Sequence, residues 1–305
     1  MDGGIIIDKP SGCTSHDVVA KVRRAISIRR VGHAGTLDPF ATGVLIVCLG
    51  RATRLVQFLV GLNKEYEATI KLGFATDTQD LTGKQTTPLR SSNAVSLGDI
   101  ELALSEFRGE QLQTPPMYSA KKVDGERLYR AARAGREVKR EPVTVSVHAI
   151  SLLSEPVRSG DGTCDVTIAV RCSSGTYIRT LAHDIGERLE VGAHLTALRR
   201  MSVGTFGINR AITLGALAQL ASDGEVGRAL VSGSDLVGHL PGLTVAPEEA
   251  SLLANGRAIE FKDRAETLGA VGSFVRLCRE SGQLIAVGEV SSPHSTVRPR
   301  VVMGQ

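Results

Sequence analysis

Asp38 is the residue of this chain whose type and setting most suggest chemistry. It stands in the run Gly32-His33-Ala34-Gly35-Thr36-Leu37-Asp38-Pro39, and no other carboxylate occurs between Asp17 and Glu65. Catalytic groups often occupy loops held by rigid elements, and a carboxylate can serve there as a nucleophile. An aspartate before proline is also a common turn residue. On local grounds alone, the turn is the more frequent explanation.

Hydrophobic periodicity places this loop between regular elements. Residues 4–7 read as a strand, and a helix follows whose apolar positions recur at helical spacing from Val18 to Ile26, with Thr14 or Ser15 as its cap. Residues 30–42 read as a loop and residues 43–49 as a buried strand. Residues 65–72 alternate, so Tyr66, Ala68, Ile70 and Leu72 share one face of a strand. Further strands are predicted over 143–153 and 164–172, with helices over 52–60, 100–107, 177–189 and 214–221; residues 121–135 are basic and helix-capable.

The bulk composition excludes several classes of protein. The chain has 305 residues, 42% of them hydrophobic, which suffices for one large domain and a small one. No apolar run is long enough to span a bilayer and no signal peptide is recognisable, so a cytoplasmic location is expected. The five cysteines form no CxxC pair and the seven histidines no ligand cluster, so neither a disulfide framework nor a metal site is expected.

The positive charge is more informative in its distribution than in its total. The net charge is +4, but residues 20–54 carry seven Lys or Arg against one acid, and residues 120–142 carry eight against four. Such segments are typical of proteins that bind a phosphate backbone, and equally of solvated helix faces.

The composition changes after about residue 238. The remaining chain has many turns, one predicted helix at 247–254 and strand-sized segments at 259–261, 274–277 and 284–287. A small β-rich C-terminal domain is therefore expected.

The loop that contains Asp38 resembles the signature of a known protein family. The run from Gly32 to Pro39, continued by Ala41-Thr42-Gly43-Val44-Leu45, closely resembles the signature loop of the TruB family, the tRNA pseudouridine-55 synthases. Five further segments resemble family motifs in the expected order over roughly residues 3–220: Ile7 to Gly12, Lys64-Glu65-Tyr66, Thr114 to Lys122, Cys172 to Leu181 and Gly192 to Arg200.

The resemblance implies a fold and a domain organisation. The fold would be α+β, with a central, mostly antiparallel mixed sheet flanked by helices. The catalytic domain would span residues 1–235, with a basic RNA-clamping insertion at about 108–142. Residues 240–305 resemble, more weakly, the small PUA-type RNA-binding domain of the family.

The implied reaction is the isomerisation of uridine to pseudouridine in the T-loop of tRNA. The N1–C1′ bond breaks, the base turns, and C5 joins C1′, without redox change or an incoming group, so no cofactor is required. Asp38 would act first, at C1′, at C6 or by assisting glycal formation; the residues leave these routes open. The target base must leave its stack to be reached.

The resemblance also implies the remaining site residues. Arg179 would pair with Asp38, since an ionised carboxylate in a tight pocket needs a positive partner. Tyr66 would stack on the target base and assist proton transfer at C5. Tyr177 and Leu198 would line the uridine pocket, and His33 would contact the RNA beside the flipped nucleotide. The T-arm of tRNA would lie along the two basic segments.

Three alternatives remain open from the residues alone. Archaeal and eukaryotic relatives with the same chemistry work inside guide-RNA particles and usually carry a fuller C-terminal domain and, in eukaryotes, a Lys-rich tail. This chain has neither an early extension nor a basic tail, so a stand-alone monomer without guide RNA is expected. A non-catalytic RNA-binding protein would not need Asp38, Tyr66 and Arg179 together. A glycosidase would need a pair of carboxylates, and the loop offers one.

Overall fold

A ten-stranded mixed sheet forms the larger part of the protein. The computed structural model describes residues 1–119, 122–123, 125–136, 138–261, 270–292 and 296–303. The strands of the first 210 residues are β1 (Gly3–Lys9), β2 (Val31–His33), β3 (Thr42–Leu49), β4 (Lys64–Leu72), β5 (Gly109–Gln113), β6 (Lys122–Val123), β7 (Glu126–Arg127), β8 (Val143–Leu152), β9 (Val157–Arg158), β10 (Cys164–Cys172), β11 (Ala193–Val203) and β12 (Phe206–Gly207).

The strand order of this sheet is β1-β3-β11-β4-β10-β8-β5, with β2 on β3, β9 on β10 and β12 on β11. Strands β3 and β11 are parallel, and the other pairs are antiparallel. The predicted mixed, mostly antiparallel sheet is therefore confirmed. The helices are α1 (Ser15–Ala25), α2 (Val56–Leu59), α3 (Leu97–Glu106), α4 (Leu128–Arg133), α5 (Ile178–Arg188), α6 (Leu214–Ser222), α7 (Gly233–Leu236) and α8 (Pro247–Ala254).

Two groups of helices pack on one face of this sheet, as the register of β1, β3, β11 and β4 indicates. α3 and α5 contribute to a core with the inward residues of β4, β8, β10 and β11. α1 and α6 pack on β1 and β3. Thr14 caps α1 in a reciprocal box with Asp17, which decides between the two predicted caps. Strand β3 is buried on both faces, as its continuous apolar sequence indicated.

Two predictions for the segments around β3 were wrong. Residues 30–42 are not wholly a loop, because Val31–His33 forms β2 and pairs with β3. Residues 52–60 are not one α-helix: a 3-10 helix over Gly50–Leu55 precedes the short α2. Thr53 Oγ1 donates to the carbonyl of Gly50, a local side-chain bond that competes with regular α-helix geometry.

Strands β5 and β11 were not foreseen. β5 is a polar edge strand whose Leu112 is exposed, so it has no clear alternation. β11 is central, yet Arg199 and Arg200 interrupt its apolar sequence. Arg200 is nevertheless buried, in a position that an apolar residue would normally occupy.

The basic insertion is only partly helical. β6 and β7 form a two-stranded sheet around Gly125, whose φ of +83° suits a tight turn, and α-helix is confined to Leu128–Arg133 among the residues of the insertion that the structure describes. The expected helix over 121–135 is thus corrected. Positions 120, 121, 124 and 137 of the predicted insertion lie outside the described residues.

A second, five-stranded sheet lies at the C-terminus, as expected. Its order is β13-β15-β16-β17-β14, from β13 (Gly242–Thr244), β14 (Ile259–Glu260), β15 (Phe274–Cys278), β16 (Leu284–Ser292) and β17 (Thr296–Val302). It has its own small core, but Leu284 and Met303 join the cluster of Leu55 and Leu59 from the first sheet's side. In the described part of the chain, no helix is long and apolar enough to cross a membrane.

Candidate active site

The loop that carries Asp38 is fixed by the first residues of the chain. The amide of Leu37 donates to Ser15 Oγ at 2.9 Å, at the start of α1. Lys9 Nζ donates to the carbonyl of Pro39 at 3.2 Å. The residues on either side of Asp38 are therefore both anchored, and the carboxylate is held before any ligand binds.

Lys9 is a fully buried cation bound to backbone oxygens. Besides Pro39, its Nζ donates to the carbonyls of Pro10 at 2.9 Å and Cys13 at 2.8 Å. Burial lowers the pKa of Lys9, while the nearby Asp38 carboxylate opposes that shift. Lys9 thus ties the turn after β1 to the loop of Asp38.

Arg179, the second residue of α5, binds Asp38 through two nitrogens. Its Nε lies 3.0 Å from Oδ2, and its Nη2 donates to Oδ1 at 3.2 Å. This fork-to-fork geometry is the strongest arrangement for an arginine and a carboxylate. The guanidinium is 4% exposed and Asp38 31%, so the pair lies at the inner end of a solvent-accessible opening. The two residues paired by the resemblance are in contact.

Asp80 is a functional candidate that the sequence did not reveal. Its Oδ2 accepts from Arg179 Nη1 at 3.2 Å, and its Oδ1 accepts from the Thr78 hydroxyl and from the amide and hydroxyl of Thr82 at 2.6–2.9 Å. Locally, the alternating threonines and aspartates of residues 76–82 are typical of a turn. Only the contact with Arg179, 99 residues away, distinguishes Asp80 from a turn residue.

The pKa of Asp38 is raised above its usual range. Burial is the largest cause, and the negative charge of Asp80 adds to it, while Arg179 and Lys9 act in the opposite direction. A carboxylate that holds its proton more tightly is also a better nucleophile and base when ionised.

A cavity of about 270 Å³ opens beside the Asp38–Arg179 pair. Its wall combines the charged pair with aromatic, apolar and cationic side chains: Lys64, Tyr66, Tyr177, Leu198 and Arg200. Of the six site residues expected from the sequence, the structure brings five to this cavity: Asp38, Tyr66, Tyr177, Arg179 and Leu198.

Arg200 links Tyr66 to the loop of Asp38. It lies directly across from Tyr66 in the β11–β4 register. Its Nε donates to the carbonyl of Val44 at 2.7 Å, and Nη2 and Nη1 donate to the carbonyls of Gly35 and Thr36 at 3.2 and 3.3 Å. Burial is the main reason that the pKa of Tyr66 is raised, which keeps the phenol protonated.

Tyr177 and Leu198 are each fixed by regular structure. Tyr177 precedes α5; its amide donates to Gln113 Oε1 at 2.7 Å and its carbonyl accepts from Gln113 Nε2 at 3.0 Å. Burial raises the pKa of its phenol. Leu198 pairs with Ala68 in the β11–β4 register and is largely buried. Both present apolar surface to the cavity.

His33 lies outside the wall of this cavity, at the end of β2. Its ring packs edge-on against that of His16, with 5.4 Å between centroids. Burial, and then the neighbouring His16, lower the pKa of His33. His16 faces a second cavity of about 490 Å³, which shares Asp38 and Arg179 with the first. Among the described residues, no group of three or more His, Cys, Asp or Glu could hold a metal ion.

Family models match two adjoining stretches of the chain. The model described as TruB family pseudouridylate synthase (N-terminal domain) matches residues 23–178. The model described as tRNA pseudouridylate synthase B C-terminal domain matches residues 179–233. The second sheet lies beyond both matches.

Proteins named tRNA pseudouridine synthase B are similar over nearly their whole length. That of Geobacter sulfurreducens is 45% identical over 95% of this chain and 93% of its own. That of Solibacter usitatus is 41% identical over 99% and 100%, and that of Bacillus subtilis is 38% identical over 94% and 92%.

Two solved structures share the fold across both sheets. A chain of a Cbf5-Nop10-Gar1 complex superposes with a TM-score of 0.76 at 29% identity, over 99% of this chain and 84% of that one. A chain of an H/ACA RNP bound to a substrate RNA containing 2′-deoxyuridine gives 0.75 at 27% identity, over 99% and 85%.

Proposed function

Because this chain belongs to the TruB family of pseudouridylate synthases, we propose that it isomerises the uridine at position 55, in the T-loop of tRNA. The names of the relatives support tRNA as the substrate class. The observation that carries the reaction is the two-nitrogen contact of Arg179 with Asp38 at the wall of a cavity.

The size of the cavity favours a flipped nucleotide. About 270 Å³ is at the lower end of small-molecule sites, and far too small for a duplex. A uridine within a folded loop would therefore leave its stack and enter singly. The free energy needed to unstack the base is smallest in a loop, where bases are already partly unstacked.

Asp38 is the residue that acts on the sugar or the base. Arg179 keeps its carboxylate ionised and oriented, although burial favours the protonated form. Tyr66 stacks on the uracil and assists proton removal from C5, while Tyr177 and Leu198 complete the walls. The N1–C1′ bond breaks, the base turns, and C5 joins C1′; no cofactor is needed.

His33 acts on the RNA and not on the uracil. It lies outside the cavity wall, next to His16, and both rings belong to the segments that flank the Asp38 loop. In this position His33 contacts the RNA beside the flipped nucleotide and fills the space that the base has left.

The RNA lies along the basic segments of a two-domain protein. The catalytic domain spans residues 1–235, with the clamping insertion at about 108–142, and residues 240–305 form a PUA-like RNA-binding domain. The T-arm contacts the arginines of residues 20–54 and the insertion. Affinity for tRNA then falls steeply with salt, because each phosphate contact releases counterions.

The protein works as a cytoplasmic monomer without guide RNA. The solved H/ACA RNP and Cbf5-Nop10-Gar1 structures share its fold at 27–29% identity, whereas the relatives named tRNA pseudouridine synthase B reach 38–47%. The higher identity supports a stand-alone tRNA enzyme.

A glycosidase is the weaker candidate, although the site holds two carboxylates. Asp80 has no free oxygen: both accept hydrogen bonds from protein groups. It is therefore unsuited to protonate a leaving group or activate water, as the second carboxylate of a glycosidase must.

One experiment tests the proposal. Wild type and Asp38→Asn are incubated with an unmodified tRNA transcript alone, and pseudouridine is mapped at single-nucleotide resolution. Wild type should convert the T-loop uridine and Asp38→Asn should not. No conversion by wild type, or conversion only with a guide RNA, would refute the proposed function; an active Asp38→Asn would refute the site.

A further inference from the structure

Lys64 is a buried cation in the cavity wall with no assigned role. It is the first residue of β4, is 7% exposed, and shares the inward face of the strand with Tyr66. Its Nζ donates to the carbonyls of Val60 and Leu62, at 3.0 and 2.5 Å. Among the described residues, no carboxylate lies within ion-pair distance of it. An ammonium has three N–H groups, so one remains for a molecule in the cavity.

The charges around the cavity do not balance. Among the charged residues that line it, the cations Lys64, Arg179 and Arg200 outnumber the carboxylate Asp38 by two. Lys64 and Arg200 are also close: a Cβ on Gly35 would lie 3.9 Å from Lys64 Cε and 3.8 Å from Arg200 Nη1. Buried charge without a partner is costly, and such groups concentrate at functional sites. This excess of positive charge points to a ligand that acquires negative charge inside the cavity.

We propose that Lys64 is a further catalytic residue, whose ammonium donates a hydrogen bond to a carbonyl oxygen of the uracil and stabilises the negative charge that the base acquires during isomerisation. This inference rests on the proposed function. Tyr66 is the neighbour that stacks on the ring, so a donor two residues earlier on the same strand face lies at the edge of the base.

Negative charge develops on the uracil by each of the three chemical routes that are open to Asp38. If the carboxylate attacks C1′, the N1–C1′ electron pair leaves with the base as an anion spread over N1, O2 and O4. If the sugar instead loses its 2′ proton to give a glycal, the same anion departs. If Asp38 attacks C6, the C5–C6 electrons move through C4 to O4 as an enolate. A preorganised donor at a carbonyl oxygen is typically worth about 10²–10³ in rate.

The titration of Lys64 gives the proposal a measurable signature. Burial, and then the charge of Arg200, lower the pKa of Lys64 to about 8. The pKa of the Cys172 thiol on β10 is raised to about 11, and those of Tyr66 and Tyr177 are raised as well, so these groups stay neutral near pH 8. The charged and titratable groups facing Lys64 are Arg200 on β11, Cys172 on β10, Tyr66 on β4, Asp38 in its loop, and Tyr177 and Arg179 at the start of α5.

The test compares wild type with Lys64→Met, Lys64→Arg and the matched control Lys71→Met. Lys71 lies on the same strand but pairs with Asp165 at the surface, a contact of small energetic value. Single-turnover rates on a tRNA transcript are measured from pH 6 to 9.5, with the tRNA Kd and the melting temperature of each variant.

The expected result is a loss of about 100-fold in rate for Lys64→Met, with a tRNA Kd within about threefold of wild type. The wild-type rate should fall as the pH rises through about 8, because the cation is lost. Lys64→Met should lack that fall. Lys64→Arg should keep more activity than Lys64→Met and stay active to higher pH, and Lys71→Met should match wild type.

Three outcomes would overturn the inference. Lys64→Met could convert uridine at the wild-type rate, or retain the decline near pH 8, or lose tRNA affinity by the same factor as rate, which would indicate a phosphate contact. If Lys64→Met does not fold, an unchanged alkaline decline in Lys64→Arg would overturn it equally. An inactive wild type would instead refute the proposed function.

Discussion

Asp38 and Asp80 accept hydrogen bonds from one buried guanidinium, that of Arg179. The same group also donates to the carbonyls of Thr78 and Tyr118, at 3.2 and 2.9 Å. Every nitrogen of Arg179 is therefore engaged, and the position of Asp38 depends on how Asp80 and two backbone segments hold that arginine.

Arg179→Lys keeps the positive charge but removes the planar fork. A single ammonium cannot reach both carboxylates and both carbonyls, so Asp38 should lose its fixed orientation. Misplacement of a reacting group by about 1 Å costs roughly 10²-fold, and we expect a single-turnover rate reduced by about that factor with little change in tRNA affinity. Arg188→Lys is the control, because Arg188 lies on the same helix and binds the exposed Glu106. Equal losses in both variants would contradict the prediction.

Asp80→Asn should change the pH dependence of the reaction as well as its rate. The charge of Asp80 raises the pKa of Asp38, so its removal should lower that pKa. The acid side of the pH–rate profile should move to lower pH, while the rate at neutral pH falls because Arg179 loses one anchor. Asp77→Asn, in the same loop, should leave the profile unchanged, since the partner of the Asp77 carboxylate among the described residues is the backbone amide of Lys84. An unmoved acid limb in Asp80→Asn would contradict the coupling.

Asp38→Asn should stabilise the fold while abolishing activity. The pKa of Asp38 is raised in the folded protein, so its ionisation is harder there than in the unfolded chain. Wild type therefore loses stability, relative to a neutral side chain, as the pH rises from the unfolded-state pKa through the raised one. Asp38→Asn should melt higher at pH 7, and the difference should vanish below the ordinary aspartate pKa of 3.8.

Asp99 provides a control, because its pKa is shifted in the direction opposite to that of Asp38. Hydrogen bonds from Ser96 at the start of α3 lower the pKa of Asp99, so its ionised form stabilises the fold. Asp99→Asn should therefore melt lower than wild type at pH 7. Melting curves over pH 3–8 test both variants; the same sign in both would refute the assignment of burial as the cause for Asp38.

Gly43→Ala should be strongly destabilising. Gly43 has a φ of +100°, and a Cβ there would clash with the backbone carbonyl of Arg200 on β11. The backbone strain alone costs about 1–3 kcal/mol, and the clash adds to it. Gly61→Ala is the control, because a Cβ added at Gly61 would have no atom within 4 Å, and it should stay within about 0.5 kcal/mol of wild type. Chemical denaturation measures both; a neutral Gly43→Ala would show that β3 and β11 can separate.

The sequence predicted the parts of the site that local pattern and ordered motifs encode. Asp38 and Arg179 are in contact, and Tyr66 lies on the buried face that its alternation indicated. Asp80 escaped notice because its turn-like surroundings satisfy it locally and its partner lies far away in the chain. β11 escaped because Arg200 occupies a core position, where its donors are satisfied by backbone carbonyls that only the fold provides.

The alternation of β4 is the sequence signal that could have identified Lys64 as a site residue. The inward face of β4 reads Lys64, Tyr66, Ala68, Ile70 and Leu72, so one further period of the alternation places a lysine among core residues. A charge where the pattern requires an apolar side chain breaks a local rule, and such breaks concentrate at functional sites. The alternation is visible in the sequence. The burial of Lys64 depends on the turn after α2, which the sequence pattern alone does not place.

The core that the two sheets share determines how a truncated form of this protein would behave. Leu284, Val287 and Met303 pack with Leu55 and Leu59, and Arg54 Nη1 donates to the carbonyl of Val302 at 2.7 Å. A chain cut near residue 240 would leave these apolar side chains in water on the back of the catalytic part. It would be prone to self-association, and a loss of activity in such a chain would reflect this exposed apolar surface as well as the absence of the second sheet.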